Sequence, residues 1–309
     1  MLSSLPNTTA RAMMIMVAAM LFAPVMDAIA KMLATQYAVS PATVTFARFL
    51  IQAIFLFAFI AFAWAKSVIP FKVSWINILR GMIMGLAATL FFTAVKYMPL
   101  PDAISVFFVE PLIVMLLSAI FLGETVGWRR VLAAIFGFIG ALIVIRPSYE
   151  LFGLVSLLPL CTAFLFSIYL ILTRISGGGK DDPLAMQFFA GIGGIVMCGG
   201  LLLLGAMFGI GDFQFSLPEE NQGWALLLSI GLFAVASHLL IVMAFSLAPA
   251  SILAPFQYIE IVGATLLGYF LFNDFPDLTK WVGIFIIVGS GLYIFFREQR
   301  LEKLEKQKS

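Results

Sequence analysis

The sequence predicts an all-α integral membrane protein with ten transmembrane helices, arranged as two inverted five-helix repeats. Three observations support this fold class. First, 62% of the 309 residues are hydrophobic and 11% are charged, whereas soluble domains average about 45–50% apolar and about 25% charged residues. Second, ten apolar segments are long enough to cross a bilayer, which requires about 20 residues. Third, residues 76–146 align with residues 226–296 without a gap, at a constant offset of 150.

The predicted spans cover residues 11–34, 41–64, 75–97, 101–122, 128–146, 151–173, 184–208, 223–245, 250–273 and 279–297. The first span is too long for a signal peptide and contains Asp27 and Lys31, so we expect it to be a membrane helix. Pro41, Pro101 and Pro183 stand where a helix can begin. Four other prolines fall inside spans, where they free backbone carbonyls and permit bends: Pro24, Pro111, Pro159 and Pro255.

The number of spans and the distribution of charge predict the topology. Five spans per repeat is an odd number, so the two repeats must enter the membrane in opposite directions. With the N-terminus inside, twelve Lys and Arg residues lie at cytoplasmic ends and four on the opposite side, as the positive-inside rule expects. We therefore predict repeats at residues 1–147 and 148–297, a charged cytoplasmic tail at residues 298–309, and both termini on the cytoplasmic side of the cell (inner) membrane.

The internal alignment places Glu260 on Glu110 and Gly231 on Gly81. A duplicated membrane unit that carries one carboxylate at the same buried position of each half is typical of transporters.

Four ionisable side chains are predicted to lie deep in the membrane. Counting 1.5 Å per helical residue puts Glu110 and Glu260 about 13–15 Å from the span ends, with Asp27 and Arg48 at similar depth. Ionisable groups are unfavourable there, so each is a functional candidate. We expect them to face a polar cavity, where a carboxylate could exchange a proton or hold a cationic group of a solute. The structural alternative is that Asp27 or Glu110 pairs with Arg48 and only ties helices together.

The segment before Glu260 adds aromatic and amide groups. In an α-helix, Phe256 and Glu260 would share one face, with Gln257 beside it. Together with Tyr258 they could stack on and hydrogen-bond a planar polar ligand, although ordinary packing and lipid contact would explain the same residues. For His238, the only histidine, we expect a helix-packing hydrogen bond rather than a proton relay.

The sequence lacks enzyme and metal-site signatures. It contains no HExxH, paired CxxC or GxSxG pattern, and residues 174–181 lack the first glycine and the final Ser or Thr of a phosphate loop. One histidine cannot build a typical metal site. The net charge of +2 does not suggest a nucleic-acid partner. We therefore expect no enzymatic activity, no cofactor and no metal; the expected partners are a small-molecule solute, the lipid bilayer and a proton as candidate coupling ion.

Ten spans in two inverted halves, with Phe121-Leu122-Gly123-Glu124 closing the fourth, resemble the EamA family of the drug/metabolite transporter (DMT) superfamily. Several stretches are similar, more narrowly, to the bacterial S-adenosylmethionine uptake transporters of that family: MDAIAK at 26–31, FARF at 46–49, ILRG at 78–81, PFQYIE at 255–260 and FNDFPD at 272–277. Glu110 departs from that group, in which we expect an uncharged residue before the proline. Riboflavin importers belong to the same broad family, and these stretches do not separate the two.

The resemblance implies a secondary transporter that works by alternating access and takes up a heterocyclic metabolite of the S-adenosylmethionine or riboflavin type. Glu260 would be the ligand or proton site, while Asp27 and Arg48 would set its electrostatic field and gate the outer side. Phe256 and Tyr258 would stack on the solute. Two alternatives stay open: an exporter of amino acids or toxic compounds, and a non-transporting membrane scaffold subunit. The sequence does not determine the oligomeric state.

Overall fold

A computed structural model describes residues 8–65, 73–98, 100–124, 126–145, 153–177, 181–263, 267 and 278–306, which contain helices and no strand. The α-helices are α1 (Thr8–Gln36), α2 (Pro41–Ala65), α3 (Trp75–Tyr97), α4 (Leu100–Phe107), α5 (Glu110–Leu122), α6 (Trp128–Ile145), α7 (Leu157–Gly177), α8 (Pro183–Phe208), α9 (Asn221–Leu247), α10 (Ala250–Leu253) and α11 (Leu278–Lys306). Three 3₁₀ helices cover Gly153–Ser156, Gly211–Phe213 and Ala254–Ile259.

Several of these helices have the length and composition of membrane spans. Within the described ranges, six segments are long and apolar enough to cross a bilayer: Thr8–Gln36, Pro41–Phe62, Trp75–Tyr97, Gly153–Gly177, Pro183–Phe208 and Asn221–Leu247. Shorter apolar helices cover Glu110–Leu122, Ala250–Gly263 and Trp281–Arg297. Large apolar side chains such as Phe62 and Phe136 are exposed, as expected for surfaces that face lipid. The all-helical membrane class is therefore confirmed, and the ten-span count stays a prediction.

Two predicted helix starts are confirmed. Helix α2 begins at Pro41 and α8 begins at Pro183. The side chain of Asp182 accepts hydrogen bonds from the backbone N–H groups of Leu184 and Ala185, at 2.9 and 3.4 Å. These bonds satisfy donors that have no partner inside the first turn of α8.

The fourth and ninth predicted spans are not continuous helices, which corrects our prediction. The fourth span is interrupted between α4 and α5, directly before Glu110. The ninth span changes from the α-helix α10 to the 3₁₀ helix Ala254–Ile259, directly before Glu260. A proline stands at each interruption, Pro111 and Pro255, and the missing N–H group and the ring of proline disturb the regular α-helical ladder. Residues 264–266 and 268–273 of the ninth predicted span lie outside the described residues.

Two further helix ends can be compared with the predicted spans. The last helix covers the predicted span at 279–297 and continues to Lys306, because residues 298–306 are Glu, Gln, Arg, Leu and Lys, all good helix formers. Helix α8 ends at Phe208, where the predicted span ends, and the following Gly209 adopts the left-handed conformation at φ 70° that glycine tolerates best.

The helices interleave around a core in which small residues allow close contact. Helix α3 packs against α7 and α8, α9 packs against α1 and α2, and α6 packs against α11. A Cβ atom added at Gly81 of α3 would meet the backbone of Ala190, and one added at Gly231 of α9 would meet the side chain of Ile51. Both glycines are therefore contact points between long helices, as small residues commonly are in membrane proteins.

We predict that Gly193→Ala destabilises the α3–α8 contact, because the added methyl group would overlap the backbone oxygen of Ile78. Overpacking of this kind typically costs about 1–3 kcal/mol. Gly200→Ala, in the same helix, is the matched control, since nothing lies within 4 Å of its added methyl group. Thermal unfolding of the purified proteins in detergent should show a lower midpoint for Gly193→Ala only. Equal midpoints for the two variants would contradict the close α3–α8 packing.

Candidate functional site

A buried cavity lies between α1, α2, α3, α7 and α9, beside the segments at which the two helices are interrupted. Its volume is about 70 Å³. That is room for a few water molecules, each of which needs about 15 Å³ on such a measure, whereas pockets for drug-sized ligands hold about 300–1,000 Å³. An organic solute could therefore occupy the cavity only after the helices move apart.

The lining of the cavity is mostly apolar, with polar groups concentrated at a few positions. Sulfur-containing and aromatic side chains supply much of the apolar surface: Met20, Met26, Met84, Phe91, Phe92 and Phe107. The main polar groups are Asp27, Arg48, His238, Gln257 and Glu260, and each of them is at most 9% exposed. Four of the seven predicted site residues therefore meet at one cavity.

Asp27 and Glu260 form a pair of carboxyl groups. Asp27 comes from the middle of α1 and Glu260 follows the 3₁₀ helix, and their side chains are hydrogen-bonded to each other. A hydrogen bond between two carboxyl groups requires a proton on one of them. The pair therefore holds at least one proton and at most one negative charge, an arrangement that can give up or accept a proton when its surroundings change.

Arg48 does not pair with either candidate carboxylate. Its Nη2 donates a hydrogen bond to Nε2 of His238 at 2.7 Å, and within the described ranges it forms no ion pair with Asp27 or Glu110. Asp27 acts on Arg48 only through a longer-range electrostatic interaction. The expectation that Arg48 ties helices together through Asp27 or Glu110 is therefore wrong, because Asp27 is bonded to Glu260 instead.

The hydrogen bond from Arg48 fixes the tautomer of His238. A guanidinium group can only donate, so Nε2 of His238 must accept, and a neutral imidazole then carries its proton on Nδ1. Nδ1 lies 3.4 Å from the hydroxyl oxygen of Tyr169. His238 thereby connects α9 with α2 and α7, which confirms the predicted helix-packing role. Sequence reasoning did not identify Tyr169.

The 3₁₀ helix changes which residues face the cavity. With three residues per turn, positions i and i+3 lie on one face, so Gln257 and Glu260 both line the cavity. Phe256 lies against Gly291 of α11, and Tyr258 packs against Phe108 with ring centroids 5.6 Å apart. The predicted shared face of Phe256 and Glu260 is therefore wrong, because it assumed an α-helix.

Glu110 and Glu260 occupy different environments despite their alignment. Glu110 is fully buried and does not line the cavity; its Oε1 accepts a hydrogen bond from Nε2 of Gln257 at 3.2 Å. Gln257 thus contacts Glu110 and also lines the cavity. The repeat did contain a signal for another lining residue, since Phe107 aligns with Gln257 at the offset of 150 and both line the cavity.

Hydrogen bonds and ion pairs join different helices at both ends of the long helices. At one end, the carboxylate of Glu124 accepts hydrogen bonds from the backbone N–H groups of Ala250 and Ser251, at 3.1 and 3.0 Å, and lies 3.7 Å from Nε of Arg174. At the other end, Asp212 pairs with Lys96 at 2.5 Å and accepts a hydrogen bond from the hydroxyl group of Tyr97.

We predict that His238→Ala destabilises the protein, because it removes the only hydrogen-bond acceptor that Arg48 has within the described ranges. A buried charged donor left without a partner costs about 2 kcal/mol or more. His238→Gln is the matched control, since its amide oxygen can replace Nε2 as acceptor. Thermal unfolding in detergent should show a clear loss for His238→Ala and partial recovery for His238→Gln. Identical midpoints for both variants would refute the assigned role of the bond.

Known proteins resemble the chain over most of its length. It is 27% identical to the S-adenosylmethionine uptake transporter of Rickettsia bellii over 265 residues, which cover 83% of this chain and 84% of the relative. It is 29% identical to the riboflavin transporter of Vibrio cholerae over 236 residues, or 74% of each chain. A solved crystal structure that is 20% identical covers 92% of this chain and 96% of its own length, with a TM-score of 0.73. At that identity the likeness shows the fold alone.

The match to a protein family is equally extensive. The EamA-like transporter family matches residues 10–146 and 153–296, which include the broken helices and every polar residue of the cavity. The chain therefore belongs to the EamA-like transporter family and is a multi-pass membrane protein.

Proposed function

We propose that this protein is a secondary transporter that takes up a heterocyclic metabolite across the cytoplasmic membrane by alternating access. The observation that carries the proposal is the Asp27–Glu260 carboxyl pair, which lines a buried cavity where a membrane helix is interrupted. Interrupted helices with ionisable groups near mid-membrane are the usual binding sites of secondary transporters.

We assign the chain to two inverted repeats, residues 1–147 and 148–297, followed by a charged cytoplasmic segment at 298–309. The pattern of helix packing supports this division. Helix α3 of the first repeat packs against α7 and α8, and α9 of the second repeat packs against α1 and α2. The third helix of each repeat thus contacts the first two helices of the other, as a pseudo-two-fold axis in the membrane plane would require.

In the proposed orientation both termini are cytoplasmic, because Lys and Arg residues are concentrated at that side. The contacts of Glu124 would then close the inner side, and those of Asp212 the outer side. Alternating access requires one set to open while the other stays closed. The 70 Å³ cavity would enlarge when the repeats move apart on either side.

We assign the central chemistry to Glu260 and Asp27. A cationic group of the solute, or a proton, would replace the hydrogen bond that now joins the two carboxyl groups. Gln257 would hydrogen-bond the solute and Phe107 would stack on it, since both line the cavity. Phe256 and Tyr258 would reach the solute only if the 3₁₀ helix rotates or converts to an α-helix during the cycle.

The chemical class of the solute is inferred from the lining and from the relatives. Phenylalanine rings and methionine side chains offer flat and polarisable contacts to a heterocycle. The names of the relatives specify S-adenosylmethionine and riboflavin, and both solutes contain a planar ring system. Experiments with labelled solute in cells that express the protein distinguish uptake from export. Accumulation of the added solute supports uptake, whereas faster loss of solute from preloaded cells would indicate export.

We predict that Glu260→Gln abolishes transport while membrane insertion persists, because a glutamine amide cannot exchange a proton or carry the negative charge of the pair. Glu110→Gln is the matched control, since it makes the same change at the aligned position outside the cavity. We expect Glu260→Gln to lose at least about 100-fold in initial uptake rate, the lower end of the effect typical of a proton-transfer group. Glu110→Gln should keep most of the rate. Uptake into proteoliposomes, corrected for the amount of inserted protein, measures both.

Two results would contradict this assignment. Full transport by Glu260→Gln would remove the carboxyl pair from the mechanism. Purified wild-type protein that moved no candidate solute under any ion gradient would favour a non-transporting membrane subunit.

A further inference from the structure

Arg48 has hydrogen-bonding capacity that the protein does not use. Its side chain is 1% exposed and lines the cavity. Nη2 donates to His238, while Nε and Nη1 have no hydrogen-bond partner in the described part of the chain. Leaving charged donors unpaired in a buried site is unfavourable, so their retention beside a cavity points to a ligand that accepts from them.

Arg80 is an arginine whose two terminal nitrogens are both bonded within the protein, although its Nε, like that of Arg48, has no partner in the described part of the chain. It is also fully buried, but it donates to the hydroxyl group of Thr173 at 3.1 Å and to the carbonyl oxygen of Met186 at 2.9 Å. It does not line the cavity. The two arginines therefore differ in the feature that matters for binding: both terminal nitrogens of Arg80 are bonded to the protein, whereas Nη1 of Arg48 is not.

None of the nearby acidic groups neutralises Arg48 directly. Asp27 is bonded to Glu260, and Glu110 is bonded to Gln257 on the far side of that residue. His238 is a neutral acceptor. The cavity therefore has a cationic donor at Arg48 and, at the Asp27–Glu260 pair, a proton-sharing carboxyl group with at most one negative charge. Asp27 and Arg48 are close enough to interact electrostatically but form no direct ion pair in the described ranges.

We propose that this cavity binds the zwitterionic α-amino-acid group of its solute, with the carboxylate on Arg48 and the ammonium on the Asp27–Glu260 pair. An α-amino acid places these two opposite charges on adjacent positions, which matches two adjacent receptors of opposite sign. Guanidinium groups bind carboxylates through strong charge-assisted hydrogen bonds. The methionine and phenylalanine side chains of the lining would contact the remainder of the solute.

The inference rests on the proposed transport function and narrows it. S-Adenosylmethionine carries an α-amino-acid group beside its heterocycle and sulfonium ion, whereas riboflavin has neither a carboxylate nor an ammonium group. The structure therefore favours an amino-acid-bearing solute of the S-adenosylmethionine class over a flavin.

Uptake of three solutes into proteoliposomes tests the inference: S-adenosylmethionine, its decarboxylated analogue, which keeps the amine and the sulfonium ion, and riboflavin. We expect wild-type protein to prefer the intact compound over the decarboxylated one by about tenfold or more in initial rate at low concentration, since a hydrogen bond to a charged group is lost. Arg48→Gln should bring this ratio close to one. In the control Arg80→Lys the rates for both compounds should fall together, so that the ratio is kept.

The outcomes separate the inference from the function on which it rests. Equal rates for the two adenosyl compounds in wild-type protein, an unchanged ratio in Arg48→Gln, or uptake of riboflavin alone would overturn the zwitterion site and leave a transporter. Uptake of no solute would overturn both. Should Arg48→Gln fail to fold, Arg48→Lys replaces it, because it keeps the positive charge but removes Nη1 and Nη2; an undiminished preference for the carboxylate would then contradict the assigned contact.

Discussion

The interruption of a membrane helix at residues 254–259 determines the rest of the site. Backbone polar groups cannot be left facing lipid, so an irregular segment persists only where protein surrounds it or where it lines a cavity. The 3₁₀ helix Ala254–Ile259 meets this condition, since residues 254–258 are all buried. Its tighter winding turns Gln257 and Glu260 toward the same side. That local geometry gives rise to the carboxyl pair, to the contact between Gln257 and Glu110, and to the polar end of the cavity.

Charge in the cavity is balanced without a direct ion pair. The Asp27–Glu260 hydrogen bond requires at least one proton, which leaves the pair with at most one negative charge near the positive charge of Arg48. The two charged groups have separate hydrogen-bond partners: Asp27 is bonded to Glu260, and one nitrogen of Arg48 is bonded to His238. A direct Asp27–Arg48 salt bridge would leave neither group available to a solute. Separation keeps both groups available, while the summed charge of Asp27, Glu260 and Arg48 stays small, which moderates the unfavourable burial of ions.

Sequence reasoning predicted the helical membrane class, the positions of helix-starting and helix-interrupting prolines, and the group of Asp27, Arg48, Gln257 and Glu260. These features depend on composition, proline chemistry and an internal alignment, all of which are present in the chain itself. The 3₁₀ helix could not be predicted, because a segment of six residues with a single strongly polar side chain, Gln257, does not distinguish a period of 3.0 from one of 3.6. The Arg48–His238 bond joins residues 190 positions apart, and only tertiary packing reveals it.

The two aligned glutamates, Glu110 and Glu260, lie in different environments because of the 3₁₀ helix Ala254–Ile259. In inverted-repeat transporters the inward-facing and outward-facing states arise when the repeats move relative to one another about a fixed central site. Here residues 104–107 of the first repeat belong to the α-helix α4, whereas the aligned residues 254–257 of the second belong to the 3₁₀ helix. The two halves therefore hold corresponding segments in different conformations.

Gln257 contacts Glu110 and also lines the cavity beside Glu260. Any rotation of the 3₁₀ helix that changes the exposure of Glu260 must also change the hydrogen bond to Glu110. Glu110 is therefore joined through Gln257 to the segment that carries Glu260, although it does not itself line the cavity.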